Sequence, residues 1–271
     1  MGQSLPDARP ITRPTPAART AYRLAPRQPA PPRCADAALH SRSDEGEPIY
    51  LIDSAPLPEG GRLLLLRCGA DFSIQLDDEE LMGSMDHVSE EALATIVAGR
   101  LPDPDGPILI GGLGMGFTLG AALDAWGSET RVEVAELLPE VIAWAKGPLA
   151  HVFGETLADP RATVTLADVH DVIAGASDHY EAILLDVDNG PDGFIRDAND
   201  RLYCNWGIRS ALKALRPGGM LAVWSAYPDE GFVARLGEAG FAVEEVVVPA
   251  YAGAKTDTHC IWLASKPLGA G

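Results

Sequence analysis

The sequence predicts an α/β fold in which helices cover a mostly parallel, doubly wound sheet, and three observations carry this prediction. Strand-like and helix-like segments alternate from residue 108 onward. The apolar run Ile108-Leu109-Ile110 leads directly into a glycine-rich turn at 111–116. The next apolar run ends in a carboxylate, Glu136. This alternation indicates βαβ units, and a parallel sheet follows from them.

A small β segment is predicted before this domain. Strand-like runs at 49–52, 62–67 and 72–76 are separated by Gly- and Pro-containing turns. A helix is then expected to begin at Ser89, an N-cap residue type followed by two glutamates, and to run to about residue 99.

The main domain is expected to contain alternating strands and helices. The predicted strands lie near 108–110, 131–135, 163–166, 182–185 and 220–224. The predicted helices lie near 117–126, 139–150, 170–174, 199–215 and 229–239, and residues 216–219 (Arg-Pro-Gly-Gly) are expected to form a helix stop and turn. Two last strands, 241–248 and 259–264, predict a terminal antiparallel pair on the parallel sheet.

Composition separates an N-terminal arm from the rest and limits the function classes. Residues 1–40 hold eight of the 22 prolines and six arginines, so we expect 1–45 to be a disordered Pro/Arg-rich arm.

Four scattered cysteines argue against a disulfide framework and suit a cytoplasmic protein. The formal charge of −18 disfavours nucleic acid, and no apolar run is long enough for a membrane span.

The glycine spacing distinguishes between nucleotide ligands. A dinucleotide fingerprint counted from Gly112 would need Gly or Ala where Phe117 stands, which disfavours an NAD-dependent oxidoreductase. The spacing that fits is Gly112-x-Gly114-x-Gly116, which is typical of S-adenosylmethionine-type folds. Glu136 is placed to accept hydrogen bonds from the ribose hydroxyls of such a ligand. The alternative for Glu136 is a surface acid.

Ligands of such sheets bind beyond the carboxyl ends of the strands, so the residue after each strand is a candidate. Asp168 is placed to accept from an adenine amino group, and the alternative is a helix N-cap. Asp186 begins the stretch Asp186-Val187-Asp188-Asn189. A carboxylate there can orient an ammonium group and take its proton before the amine attacks a sulfonium. The alternative is a turn, because Asp and Asn are ordinary turn residues.

Other catalytic chemistries lack their residues. His87, His170 and His259 show no spacing for a metal site or a catalytic triad, so no metal is expected. No serine lies in a Gly-x-Ser-x-Gly elbow, so a hydrolase would lack its nucleophile.

With these motifs identified, residues 62–266 resemble the spermidine synthase family of aminopropyltransferases. The turn 111–116 is similar to the glycine loop of that family, Glu136 to its ribose acid and Asp168 to its adenine acid. Asp186 falls at the general-base position of its catalytic stretch. Tyr251, in Val248-Pro249-Ala250-Tyr251, resembles a tyrosine that lines the polyamine site. The resemblance implies a Rossmann-like, class I methyltransferase-like fold and, by analogy, a homodimer.

Three positions depart from the family pattern. The loop aspartate that holds the amine of decarboxylated S-adenosylmethionine is replaced by Gly114, and the second aspartate of the catalytic stretch by Asn189. The tyrosine early in the linking helix, which flanks the reacting amine, is replaced by Glu90.

The sequence therefore predicts three regions: the disordered arm 1–45, a small β segment at 46–88 and a Rossmann-like donor-binding domain at 89–271. The leading hypothesis is a transferase that passes an aminopropyl group from decarboxylated S-adenosylmethionine to a small-molecule amine. In this hypothesis Asp186 is the base and Asp188, Asn189 and Tyr251 contact the amine, while the donor is held by Gly112, Gly114, Gly116, Glu136 and Asp168. The alternatives are a methyltransferase that uses S-adenosylmethionine itself and a catalytically inactive nucleoside-binding homologue.

Overall fold

Two β-sheets and their connecting helices make up residues 48–57, 60–103, 105–187 and 200–269, which the computed structural model describes. The predicted arm at 1–45 lies outside these residues, and so do Asp188 and Asn189.

The N-terminal sheet is antiparallel, with its four strands in chain order. Its strands are β1 (Ile49–Pro56), β2 (Arg62–Cys68), β3 (Asp71–Leu76) and β4 (Glu79–Gly83). The sequence predicted the first three, whose buried and exposed residues partly alternate. It missed β4, which has no fully buried residue and is held by its pairing with β3.

The main sheet has seven strands in the order β10-β11-β9-β8-β5-β6-β7. The strands are β5 (Ile108–Gly111), β6 (Val132–Glu136), β7 (Ala162–Leu166), β8 (Tyr180–Leu185), β9 (Leu215–Ser225), β10 (Ala242–Pro249) and β11 (Thr258–Ser265). Strands β5 to β9 are parallel, whereas β11 runs antiparallel to both β9 and β10. The predicted parallel sheet with a terminal antiparallel pair is confirmed.

Helices cover the sheet as the alternation predicted. They are α1 (Val88–Ala98), α2 (Phe117–Ala125), α3 (Pro139–Ala145), α4 (Ala150–Phe153), α5 (Val169–Gly175), α6 (Asp200–Tyr203), α7 (Asn205–Ala214) and α8 (Glu230–Ala239). None of the helices in the described ranges is long and apolar enough to cross a membrane.

Two local expectations were wrong. Ser89 does not cap α1: His87 occupies the N-cap position, and the Ser89 side chain is fully buried within the first turn. Residues 216–219 do not form a separate turn, because β9 already begins at Leu215. Gly218 and Gly219 instead exchange backbone hydrogen bonds with Lys266, which fastens this end of β9 to the chain beyond β11.

One continuous apolar core joins the two sheets. Leu63, Leu65 and Ile74 of the N-terminal sheet pack in the same cluster as Leu93 of α1 and Ile110 of β5. A hydrogen bond of 2.8 Å from Trp144 Nε1 of α3 to Asp53 Oδ2 of β1 also connects the N-terminal sheet to the helices of the main domain. The N-terminal sheet is therefore part of the same packed body as the main sheet.

Replacing Leu65 with alanine tests this shared core. Leu65 has no exposed surface, so Leu65→Ala should lower the free energy of unfolding by about 2–5 kcal/mol. Leu51 of β1, 36% exposed, provides the matched control, and Leu51→Ala should cost less than about 1 kcal/mol. Urea unfolding followed by tryptophan fluorescence measures both. Separate transitions for the two sheets would contradict the single core.

Candidate active site

The turn between β5 and α2 requires glycine for steric reasons. Gly112, Gly114 and Gly116 have φ of +89°, +50° and +83°, in the left-handed region that side chains disfavour. A Cβ at Gly112 would collide with the backbone carbonyl of Asp186, and one at Gly116 with the Phe153 ring. The backbone of the loop is therefore packed directly against the end of β8.

Glu136, at the end of β6, holds this loop in place. Its Oε2 accepts a hydrogen bond of 2.9 Å from the Leu113 backbone N–H, and its Oε1 accepts one of 2.7 Å from that of Leu138. The side chain is buried and lines the same cleft as the loop. Glu136 therefore connects two strand ends, which a surface acid would not do.

The main cleft gathers most of the predicted donor residues. Its polar rim contains Glu136, Asp168 and Asp186 beside the backbone of Gly112 and Gly114. Its opposite wall is apolar and comes from the N-terminal sheet, namely from Leu63, Ile74, Leu76, Leu81 and Met82. Gly116 lies outside this cleft, in the wall of a neighbouring cavity.

Asp168 is a helix N-cap, as one of its two alternatives predicted, and its contact with an adenine amino group stays a prediction. Its Oδ1 accepts from the His170 backbone N–H at 2.9 Å, which caps α5, and its Oδ2 pairs with Arg201 Nη2 at 2.5 Å. It also lines the main cleft. The N-cap role orients the carboxylate at the edge of the cleft.

Two further spaces lie next to the main cleft. The loop cavity is bounded by Gly114, Gly116, Asp186, Glu90 and Trp224, among others, and shares Gly114, Met82 and Asp186 with the main cleft. The outer groove shares Met82, Glu90 and Trp224 with the loop cavity and extends past Asp86 and His259. The three spaces therefore adjoin the same side chains, with Asp186 lining the first two and Glu90 lining the second and third.

Asp186 has an altered acidity. Burial of the carboxylate, reinforced by the negative charge of Glu90, raises the pKa of Asp186 to about 7. A hydrogen bond of 2.6 Å from Thr118 Oγ1 to Asp186 Oδ2 opposes this shift. Near neutral pH the side chain can therefore both accept and release a proton.

Glu90, in the first turn of α1, has a similar environment. Burial raises the pKa of Glu90, and the charges of Glu91 and Asp86 add to the effect. Its Oε2 accepts a hydrogen bond of 2.6 Å from Ser89 Oγ, which favours the ionised form.

Ser89 connects Glu90 to a histidine of β11. Ser89 Oγ lies 3.0 Å from His259 Nδ1. Since the single hydroxyl proton of Ser89 is donated to Glu90, Nδ1 of His259 must donate its own proton to Ser89. Burial lowers the pKa of His259, which favours the neutral ring.

The structure does not bring every predicted residue to the cleft. Tyr251 lies in the turn after β10, where its hydroxyl donates to Asp257 Oδ2 at 2.9 Å, and it lines none of the three spaces. This hydrogen bond to a carboxylate raises the pKa of Tyr251. Asp188 and Asn189 lie outside the described residues, so their contact with an amine stays a prediction.

Sequence reasoning missed Ser89, Thr118 and His259 as parts of the site. They come from α1, α2 and β11, and no spacing along the chain relates them. The one signal present was Glu90, where the family carries a tyrosine. Across the described ranges, no three or more His, Cys, Asp or Glu side chains are grouped to hold a metal ion.

Comparison with known proteins identifies the fold. No protein-family model and no curated protein matches the sequence. The crystal structure of spermidine synthase from Thermotoga maritima matches with a TM-score of 0.68 and 19% identity, over 82% of this chain and 75% of that one. The chain has a spermidine synthase-like fold.

Two further structures of this kind agree. Spermidine synthase in complex with the transition state analogue AdoDATO matches with a TM-score of 0.67 and 19% identity, over 82% of this chain and 76% of that one. A probable spermidine synthase from Corynebacterium glutamicum ATCC 13032 matches with a TM-score of 0.56 and 14% identity, over 80% and 79%. At these identities the likeness establishes the class I methyltransferase-like fold of spermidine synthase.

The packing of Gly112 predicts a large effect of a single methyl group. Gly112→Ala should destabilise the fold by about 1–3 kcal/mol from its left-handed backbone alone and should displace Asp186. Gly120→Ala in α2 is the control, because its Cβ would have only an ordinary contact and should add about 0.5–1 kcal/mol of helix stability. Urea unfolding compares the two. Equal stability of both variants would contradict the close approach.

The raised pKa of Asp186 predicts a pH-dependent gain of stability on its removal. The carboxyl has a pKa near 3.9 in the unfolded chain and of about 7 in the folded chain. The stability that the protonated carboxyl gives the folded chain at low pH is therefore lost as the pH rises from about 4 through 7. Asp186→Asn keeps the hydrogen bond from Thr118 and carries no charge. Its melting temperature should exceed that of the wild type by several degrees at pH 8 and by less at pH 5.

The exposed Asp78, in the turn before β4, provides the control for this prediction. Asp78→Asn should change the melting temperature little and equally at both pH values. If the difference in melting temperature between Asp186→Asn and the wild type is no larger at pH 8 than at pH 5, the charge of Asp186 does not destabilise the folded chain.

Proposed function

We propose that this chain is a transferase that binds decarboxylated S-adenosylmethionine and transfers its aminopropyl group to a small-molecule amine. The observation that carries the proposal is the meeting of the glycine loop, Glu136 and Asp186 in one cleft, with Asp186 titrating at about pH 7. The spermidine synthase-like fold supports it.

The main cleft offers the contacts that an adenosyl group requires. The loop at Gly112 and Gly114 lets the ligand approach the backbone, and Glu136 accepts from the ribose hydroxyls. Asp168 accepts from the adenine amino group, with its carboxylate held by the cap of α5. The similar structure of spermidine synthase in complex with the transition state analogue AdoDATO supports a nucleoside ligand in this fold.

The transfer is an in-line displacement at carbon. The acceptor ammonium first gives one proton to Asp186, and the neutral amine then attacks the carbon of the aminopropyl chain that is bonded to sulfur. A carbon–nitrogen bond forms, the carbon–sulfur bond breaks, and its electron pair stays on sulfur as the thioether of methylthioadenosine. Thr118 keeps Oδ2 of Asp186 in position for the proton.

The outer groove has the charge expected of an entrance for a cationic amine. Four acids line it, and Arg67, which lies over the Tyr50 ring, is its one arginine or lysine among the described residues. Such a field attracts positively charged substrates and disfavours nucleic acid. The acids of the groove are Asp71, Glu80, Asp86 and Glu90.

A methyltransferase that uses S-adenosylmethionine is the second candidate, and Gly114 favours it. Gly114 has no side chain, so the loop itself supplies no acid that could bind an aminopropyl ammonium.

Replacing Asp186 tests the assignment of the base. Incubation with either donor and a set of di- and polyamines, read by mass spectrometry, should show the gain of an aminopropyl group for the wild type. Asp186→Asn should lower turnover by about 100-fold or more while binding of methylthioadenosine stays within about twofold, since a general base contributes roughly 10²–10⁴. A methyl gain would favour the second candidate, and unchanged turnover would remove Asp186 from the mechanism.

A further inference from the structure

The loop cavity is lined by two carboxylates without a balancing cation. Asp186 and Glu90 are its two charged side chains among the described residues, and its other walls are glycine backbone and apolar or aromatic side chains. Each carboxylate is disfavoured in its ionised form by burial and by a neighbouring acid. A ligand group that carries a positive charge would relieve this repulsion.

Trp224 provides an independent sign that this cavity holds a ligand. The residue is only 8% exposed and lines the cavity beside Glu90. Its indole N–H is buried and has no hydrogen-bond partner among the described residues. A buried donor of this kind costs free energy unless an oxygen of a ligand or of water accepts from it, and the ammonium group of a ligand is not that acceptor. An indole ring also attracts cations to its face.

The position of the cavity indicates which group enters it. It shares Gly114, Met82 and Asp186 with the main cleft, so it lies beside the glycine loop next to the main cleft, and Glu90 is in its wall. The loop itself supplies no acid, because Gly114 has no side chain and Met82 Sδ lies 2.9 Å from where its Cβ would be. Glu90 is therefore the carboxylate placed for the end of the donor's chain, while Asp186 remains beside the reacting carbon.

Glu90 is held for this role by buried hydrogen bonds. Ser89 Oγ donates to Glu90 Oε2 at 2.6 Å and is itself held by His259 Nδ1 at 3.0 Å. Ser89 has no exposed surface, so water does not compete for these bonds. The arrangement fixes one oxygen of Glu90 and favours its charged form.

We propose that Glu90 binds the terminal ammonium of the donor in the loop cavity and so selects the decarboxylated donor over S-adenosylmethionine. The intact donor carries an α-carboxylate on the same carbon as its ammonium, which would lie beside Glu90 and Asp186 with no lysine or arginine among the described residues of the cavity wall. Ser89 and His259 act as positioning residues for Glu90. This inference rests on the proposed function, since it assigns one end of the donor to a residue.

Calorimetry on the full chain at pH 8 tests the inference with three probes. Decarboxylated S-adenosylmethionine carries the ammonium alone, S-adenosylmethionine adds the carboxylate, and methylthioadenosine has neither group. Glu90→Gln should weaken binding of the decarboxylated donor about 10- to 100-fold, which is the range for a charge-assisted hydrogen bond. The ratio of the protein's affinities for the decarboxylated donor and for S-adenosylmethionine should therefore decrease. Methylthioadenosine binding should stay within about twofold.

Glu91→Gln is the matched control, one residue further along α1. Glu91 is half-exposed and pairs with His87 at 2.8 Å, outside the lining of the loop cavity. This variant should bind all three probes like the wild type. The same loss in Glu91→Gln as in Glu90→Gln would overturn the inference, because a general change of charge on α1 would then explain it.

The failures of the two proposals are distinguishable. A wild type that binds none of the probes overturns the proposed function and this inference with it. Normal methylthioadenosine binding with an unchanged affinity of Glu90→Gln for the decarboxylated donor overturns the inference alone. Should Glu90→Gln lose every probe, Ser89→Ala decides: a selective loss of the decarboxylated donor supports the role of Glu90, and a uniform loss overturns it.

Discussion

The backbone contact between Gly112 and Asp186 is the constraint on which the rest of the site depends. Asp186 N–H donates to the Gly111 carbonyl at 3.0 Å, and Gly112 N–H donates to that of Ala135 at 2.9 Å. The ends of β5, β6 and β8 are thereby held together with no side chain between them. Glu136 is the last residue of β6 and Asp186 directly follows β8, so the strand pairing brings the two carboxylates to the same edge of the sheet.

The site residues that lie at the ends of paired strands could be predicted from the sequence. The site residues that are brought in by tertiary packing could not. Glycine spacing, strand ends and the acids near them are local patterns in the sequence. From these patterns Glu136, Asp168 and Asp186 could be predicted to lie at the cleft. Ser89 resembled a helix cap because a serine before two glutamates is a frequent cap pattern. Its burial results from packing between α1 and β11, 170 residues apart in sequence, which no periodicity reports.

The buried acids illustrate how a functional site opposes stability. Asp186 and Glu90 are each destabilised in the charged form, and an apolar pair of similar size would suit the surrounding core better. Thr118 and Ser89 offset part of this cost by donating one hydrogen bond to each carboxylate. The repulsion that remains is available as binding free energy for a cation, which is why the proposed ammonium site and the altered acidity have one physical origin.

The apolar wall that the N-terminal sheet contributes has a consequence for this chemistry. Leu63, Ile74 and Met82 line the cleft with apolar side chains, and the hydrogen bond from Trp144 to Asp53 helps to keep their sheet in place. The low polarity around Asp186 is therefore produced by a part of the chain that carries none of the reacting groups. Any movement of that sheet away from the cleft would admit solvent, raise the local dielectric constant and return Asp186 toward an ordinary, weakly basic carboxylate.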